Sequence, residues 1–388
     1  MCRELDRRQL TSRGPQRGVS SAPQSADLEA GGRDGGSPPI PKSCLRTVQS
    51  ALTVPTVADR VAQMVVKQRL EPLVEPHFHK DSYGYRPGRS AHQAIAAARK
   101  RCWEFAWVLD LDIQGFFDSI DHALLMRAVS RHTKCSWMLL YVERWLKAPV
   151  RLADGTTLQR DRGTPQGGVA SPLLANLFLH FVFDEWMRRN YPGIPFERYA
   201  DDAICHCRSL KEAQALKAAL EVRMAQCHLQ LHPEKTQIVY CRTGNRKARY
   251  SECQFDFLGY RFRPRCAKTK DGKLFVGFLP AISPKAAKAI RRTVRRWRLH
   301  CWHSVELVDV ARQVNPVLHG WINYYGQFYR SALNAVFDTL DQYLGRWLRR
   351  KYKRLKYKRW RAGELLGRVR QRQPGLFAHW TLGVNGGQ

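Results

Sequence analysis

The sequence predicts two domains: a mixed α+β domain over residues 40–279, then an all-helical, basic domain over residues 280–365. Three observations predict them. Short apolar runs rich in β-branched and aromatic residues alternate with amphipathic stretches up to Pro280. Beyond it every apolar repeat has the helical period. Formal net charge is +32, and the longest acid-free basic run lies in the second part.

Residues 1–39, rich in Gly, Ser, Pro and charge without apolar period, are expected to form a disordered tail. DRVAQMVVKQRLEPLVEP reads as a helix with Val61, Met64, Val65 and Leu70 as its apolar positions, ending before Pro72. AWVLDLDIQGFF carries the strand-like run Trp107-Val108-Leu109 into a pair of acids. SPLLANLFLHFVFDEWMRR reads as one long helix with Pro172 in its first turn. FERYADDAICHC reads as a hairpin, and SLKEAQALKAALEVRMAQCHL as an amphipathic helix capped by Ser209. TQIVYC and FDFLGYRF are short strands. After Pro280, SPKAAKAIRRTVRRWRLHCW, VELVDVARQVNPVLHGWINYYGQF and LNAVFDTLDQYLGRWLRRKYKRL are helical by period, and 366–388 is expected to be a C-terminal tail.

Composition narrows the function. A charge of +32 in a compact chain is self-repelling and is most simply neutralised by a polyanion. No apolar run approaches the roughly 20 residues of a spanning helix, and the N-terminus lacks a signal-peptide core. Nucleic acid is therefore the expected partner, not a membrane. The eleven cysteines are odd in number and include no Cys-x-x-Cys pair, which argues for buried thiols in a reducing, cytoplasmic setting.

The acids point to chemistry. Asp201 and Asp202 stand side by side in RYADDAICHC, and VLDLDIQGFFDSID offers Asp110, Asp112, Asp118 and Asp121. Each group alone could be a solvated turn or a strand-end cap. A strand ending in an acid beside a hairpin tipped with two is what two-metal phosphoryl transfer needs. Bridging carboxylates on rigid neighbouring strands hold two Mg²⁺ roughly 3.5–4 Å apart.

At this point the residues reach a family. RYADD resembles the Tyr-Ala-Asp-Asp box of reverse transcriptases. RLEPLVEPHFHKDSYGYRPGRSAHQAI, DLDIQGFFDSIDHALLM, RGTPQGGVASPLLANLFLH, HPEKTQIVY and FDFLGYRF fall in the order of bacterial group II intron reverse transcriptase/maturases. The resemblance covers about residue 40 to residue 388 and implies a right-hand polymerase, fingers and palm with an antiparallel sheet, followed by an all-α thumb or maturase domain. It implies catalytic, metal-holding Asp112, Asp201 and Asp202. It also implies nucleotide contacts by Phe117 (excluding a 2′-hydroxyl), Gln166, Gly167 and Lys235, with Lys42 and Arg46 standing for the cations of the fingers. Template or primer contacts are expected from Arg86, Arg89, Gly163 and the primer-grip residues Leu258 and Gly259. In the thumb, Trp321, Tyr325, Arg349, Arg350 and Lys351 are expected to meet nucleic acid, although rings at helical spacing also suit a core.

The implied function is RNA-directed DNA synthesis on intron RNA during retrohoming, with Mg²⁺ and deoxynucleoside triphosphates, target DNA as acceptor, and binding of intron RNA to assist splicing. No appended endonuclease domain is expected. IPKSCLRTVQSALTVPTVADRV departs from the family pattern, lacking its glycines and Arg-Pro, so truncated fingers are expected. A splicing-only maturase is the alternative that this departure opens.

Overall fold

The computed structural model describes residues 55–151, 156–165, 167–246, 248–269 and 271–382. The expected tail 1–39, together with Lys42, Arg46 and Gln166, lies outside them.

Helix α1 (Val57–Val74) starts where the Thr56 hydroxyl accepts from the Asp59 amide. It buries Gln63, Val66, Leu70 and Val74, while Val61, Met64 and Val65 face outward. The apolar face expected from sequence is thus rotated. Counting apolar residues passes over Gln63, which is buried because its Oε1 accepts from the Val169 amide at 2.7 Å. The helix also passes through Pro72: near the end of a helix the missing N–H forfeits one bond only, and the chain runs on into a 3-10 turn at Glu75–His77.

Helix α2 (Ala91–Glu104) begins with a capping box between Ser90 and Gln93. After β1 (Trp107–Leu111) come α3 (Phe116–Ser119), α4 (His122–His132) and α5 (Ser136–Lys147), then the small pair β2 (Val150–Arg151) and β3 (Thr157–Leu158). The long helix predicted from SPLLANLFLHFVFDEWMRR is continuous but not uniform. Helix α6 (Ser171–Leu179) widens through a π turn at His180–Asp184 into α7 (Glu185–Asn190). Strands β4 (Phe196–Tyr199) and β5 (Asp202–Cys207) form the predicted hairpin, and α8 (Leu210–Gln226) is capped by Ser209, which accepts from Glu212 at 3.1 Å.

With β6 (Gln237–Tyr240) these strands make an antiparallel sheet in the order β4-β5-β1-β6. A second antiparallel sheet holds β7 (Phe255–Phe257), β8 (Tyr260–Lys268) and β9 (Leu274–Ile282). Strand β9 was not legible in the sequence and carries the first domain to Ile282, past the expected limit at 279. Pro280 misled there; β9 is an edge strand, where a residue without an N–H is tolerated.

The helical domain is α9 (Pro284–Arg296), α10 (Leu307–Tyr325), α11 (Asn334–Lys351) and α12 (Arg359–Arg372). Residues 366–382 are not the expected tail. Leu366, Phe377, Ala378, Trp380 and Leu382 are buried with Val314, Leu340 and Trp347 in one core. Asn315 ties the segment down, donating to the Leu376 carbonyl and accepting from the Ala378 amide. Aromatic side chains spaced outside any helical repeat left no periodic signal to read. No helix among the described residues is long and apolar enough to cross a membrane.

Candidate active site

Strand alternation assembles the acids. Trp107, Leu109 and Leu111 of β1 enter the core under the four-stranded sheet, whereas Val108 packs on the opposite face, which Asp110 shares. On β5, Ala203, Cys205 and Cys207 go below and Ile204 above, so Asp202 opens that strand on the side of the acids. The antiparallel register pairs Asp110 with Ile204 and Leu111 with Ala203. Asp112 therefore leaves β1 beside Asp202, with Asp201 one residue back in the turn.

The electrostatics agree. Asp110 is pushed up to about 8, by burial first and then by the charges of Asp202 and Asp112. Asp202 rises to about 6, first because the surrounding protein displaces water from its carboxylate and then through the charges of Asp201 and Asp112. Burial and Asp112 also raise Asp201, against the pull of Arg198. Among the described residues no three carboxylate, imidazole or thiolate donors stand close enough to enclose an ion. In type and charge these acids fit hard divalent cations, which prefer oxygen ligands.

Two cations face this cluster. Lys235 Nζ donates to Asp112 Oδ2 at 3.1 Å. Its turn is laid against the end of β1, with the His232 amide on the Asp112 carbonyl at 2.7 Å and the Gln114 amide on the Gln230 carbonyl at 2.9 Å. Lys285, in the first turn of α9, lowers the Asp202 carboxyl against the acids that raise it.

The hairpin tip is held from below. Ala200 takes a left-handed φ of 58° just ahead of Asp201. Its carbonyl accepts from Arg198 Nη1 at 3.0 Å, and the same nitrogen donates to Asn176 Oδ1. The rest of the buried guanidinium forks onto Asp184 at 2.7 and 2.6 Å, within the π turn between α6 and α7. On the outer edge, the Tyr83 amide donates to the Arg198 carbonyl at 2.8 Å. A Cβ built on Gly84 would stand 2.3 Å from the Ala200 amide nitrogen. Gly84→Ala is therefore expected to displace the tip and to cost about 1–3 kcal/mol of stability, the range for overpacking a tight site. Chemical denaturation checks this; an unchanged stability would show that the contact does not matter.

The other expected residues divide. Phe117 is half-buried at the turn after Asp112, edge-on to buried Phe116 at 5.2 Å between centroids. Gly167 (φ 100°) is exposed. Gly163 is buried against protein instead of open to nucleic acid: with φ 85°, its Cβ would lie 2.9 Å from the Phe117 carbonyl oxygen and from Asp118 Cα. It lets the glycine loop pass over the Phe117 turn. Arg86 is corrected from a template contact to a structural one. Its guanidinium is committed to Glu75 and to the carbonyls of His79 and Ser82, leaving no face for phosphate. Arg89 is exposed and lies over the Tyr83 ring.

Leu258 and Gly259, with φ of 50° and 78°, form the two-residue turn between β7 and β8. Tyr325 packs against that turn and against Tyr260, and Trp321 stacks on Trp297 at 5.7 Å. Both rings are thus packing elements instead of exposed platforms. Arg350 is exposed and Arg349 half-buried, but Lys351 is taken up internally by Glu306 and the Val305 carbonyl.

Sequence reading missed Arg198, Tyr85 and Lys285. Tyr85, with φ 54°, keeps about half of its surface in water; partial loss of solvent around the hydroxyl, then the charges of Tyr199, Asp201 and Asp202, push it up. Arg198 carries a weak signal, an arginine in the first strand of the hairpin, two residues before its turn. Lys285 carries none, because its approach to Asp202 depends on the path of β7–β9.

Comparison with known proteins follows the same division. The family described as reverse transcriptase (RNA-dependent DNA polymerase) matches residues 40–262. The chain belongs to this family. The group II intron maturase-specific domain matches residues 287–365, within the helical domain. Chemistry in this family uses divalent metal ions. Protein YkfC of Escherichia coli is 29% identical over 248 residues, 54% of this chain and 62% of that protein. Group II intron-encoded protein LtrA of Lactococcus lactis is 38% identical over 129 residues, 33% of this chain and 21% of that protein. The chain thus spans less than two thirds of the length of these curated relatives. Among solved structures, telomerase from Candida albicans with a fragment of telomeric RNA covers 86% of the chain and 57% of its own. Its 12% identity and TM-score of 0.43 are too loose to bear on the site.

Proposed function

We propose that this chain is the RNA-directed DNA polymerase of a group II intron, copying intron RNA into DNA and binding that RNA to assist splicing. The observation that carries the reading is the register that brings Asp112 out of β1 beside Asp201 and Asp202. Asp112, Asp201 and Asp202 would hold two Mg²⁺ ions, which when bound supply the charge that activates a primer 3′-hydroxyl and stabilises a departing pyrophosphate. Lys235, already on Asp112, stands where it can meet triphosphate oxygens and hand a proton to the leaving group. The Phe117 ring would sit under the incoming sugar and reject a 2′-hydroxyl. Arg89, Arg349 and Arg350 offer exposed or half-buried guanidinium groups to phosphate.

The test is extension of a DNA primer on an RNA template, with and without Mg²⁺. Extension that needs both Mg²⁺ and deoxynucleotides is expected, and EDTA should abolish it. Absence of extension, with splicing of the cognate intron still stimulated, would replace this reading with a splicing-only maturase.

A further inference from the structure

We propose that the groove between α11 and α12, with the exposed rings beside it, holds an unpaired segment of RNA. The inference rests on the RNA-binding reading above and specifies which part of the RNA the helical domain takes.

The groove has a volume of about 530 Å³ and is lined by Arg346, Arg349, Arg359 and Arg370. Gly363 and Gly367 keep it open, since a Cβ at either would meet nothing within 4 Å. Two acids also line it, Asp338 and Asp341. Asp341 is partly engaged by the protein, its Oδ1 accepting from both His379 and the Trp380 indole. Cationic groups therefore outnumber the acids, and the space suits a phosphodiester with its sugar. Neighbouring sequence extends the same field: residues 342–363 hold ten Lys and Arg and no acid.

The rings decide between paired and unpaired RNA. Trp360, one residue after Arg359 on α12, is 74% exposed, and Tyr357 in the preceding link is 85% exposed. Every other tryptophan of the helical domain is packed: Trp347 and Trp380 are fully buried, and Trp297, Trp302 and Trp321 lie against the core. Leaving such surface in water is unfavourable unless a partner covers it. An A-form duplex offers phosphates and 2′-hydroxyls but hides its base faces, so it has nothing to place on these rings. Unpaired nucleotides present both a base face for stacking and a backbone for guanidinium groups. Lys356 lies over the Tyr357 ring at 5.2 Å, placing a cation beside that platform.

Fluorescence anisotropy tests this with the full chain and three probes: a labelled, unstructured RNA of about 12 nucleotides, the same RNA annealed to its complement, and single-stranded DNA of the same sequence. The proteins are wild type, the double variant Tyr357→Ala/Trp360→Ala, and Gly363→Gln, which fills the groove without changing charge. Expected are tighter wild-type binding to the unpaired RNA than to the other probes, and a loss of about tenfold or more for the double variant on it. A several-fold loss is expected for Gly363→Gln, with duplex affinity within twofold for both variants. Unchanged single-strand affinity, or equal losses on single strand and duplex, would overturn the proposal. DNA bound as tightly as RNA would overturn the RNA assignment. All substituted positions are solvent-exposed, and a thermal melt confirms folding. Wild-type primer extension reports separately on the polymerase reading, so its absence would sink that reading without altering these affinities.

Discussion

Asp201→Asn is expected to lower primer extension by roughly 10³-fold or more, the loss of several kcal/mol of charge stabilisation at the reacting phosphate. The substitution keeps the shape of the side chain and removes one negative charge that repels Asp202, whose carboxyl is pushed up by burial and then by Asp201. The folded state should then be at least as stable as wild type, and RNA affinity should stay within about twofold because the basic helical surface is untouched. Steady-state extension, thermal melting and filter binding on one preparation distinguish these effects. Extension within tenfold of wild type would show that Asp201 does not hold the reaction's metal ions.

Arg198→Met should cost about 3–5 kcal/mol of stability, the range for removing one partner of a buried ion pair. It would leave Asp184 charged and buried without its cation and strip Asn176 and the Ala200 carbonyl of a donor. Against a total stability of about 5–15 kcal/mol this is a large fraction. Chemical denaturation measures it. Adding Asp184→Asn should recover part of the loss, since no bare charge then remains; a single-variant loss below about 1 kcal/mol would show the pair to be dispensable.

Much of this was legible beforehand, for identifiable reasons. The apolar run Trp107-Val108-Leu109 and the hairpin around Asp201 and Asp202 are local signals that survive in sequence, so the acids could be assigned to neighbouring strand ends before their register was known. Caps such as Ser209 are local and were equally plain. What escaped depended on distant chain. The buried face of α1 turned on Gln63, whose partner lies at Val169. Arg86 has the right chemistry for phosphate, and only the fold shows that Glu75 already occupies it. Trp321 and Tyr325 have the same composition as Tyr357 and Trp360 in a basic setting, and packing alone separates the sheltered rings from the open ones.

The turn at Leu258–Gly259 is stitched to α10 by Tyr324, whose hydroxyl donates to the Leu258 carbonyl and whose own carbonyl accepts from Tyr260 and His92. Tyr325 and Phe328 close the same knot around Tyr260. A lever fastened so near its fulcrum transmits rotation with little slack. Any displacement of α10 is therefore carried directly to the turn at Gly259.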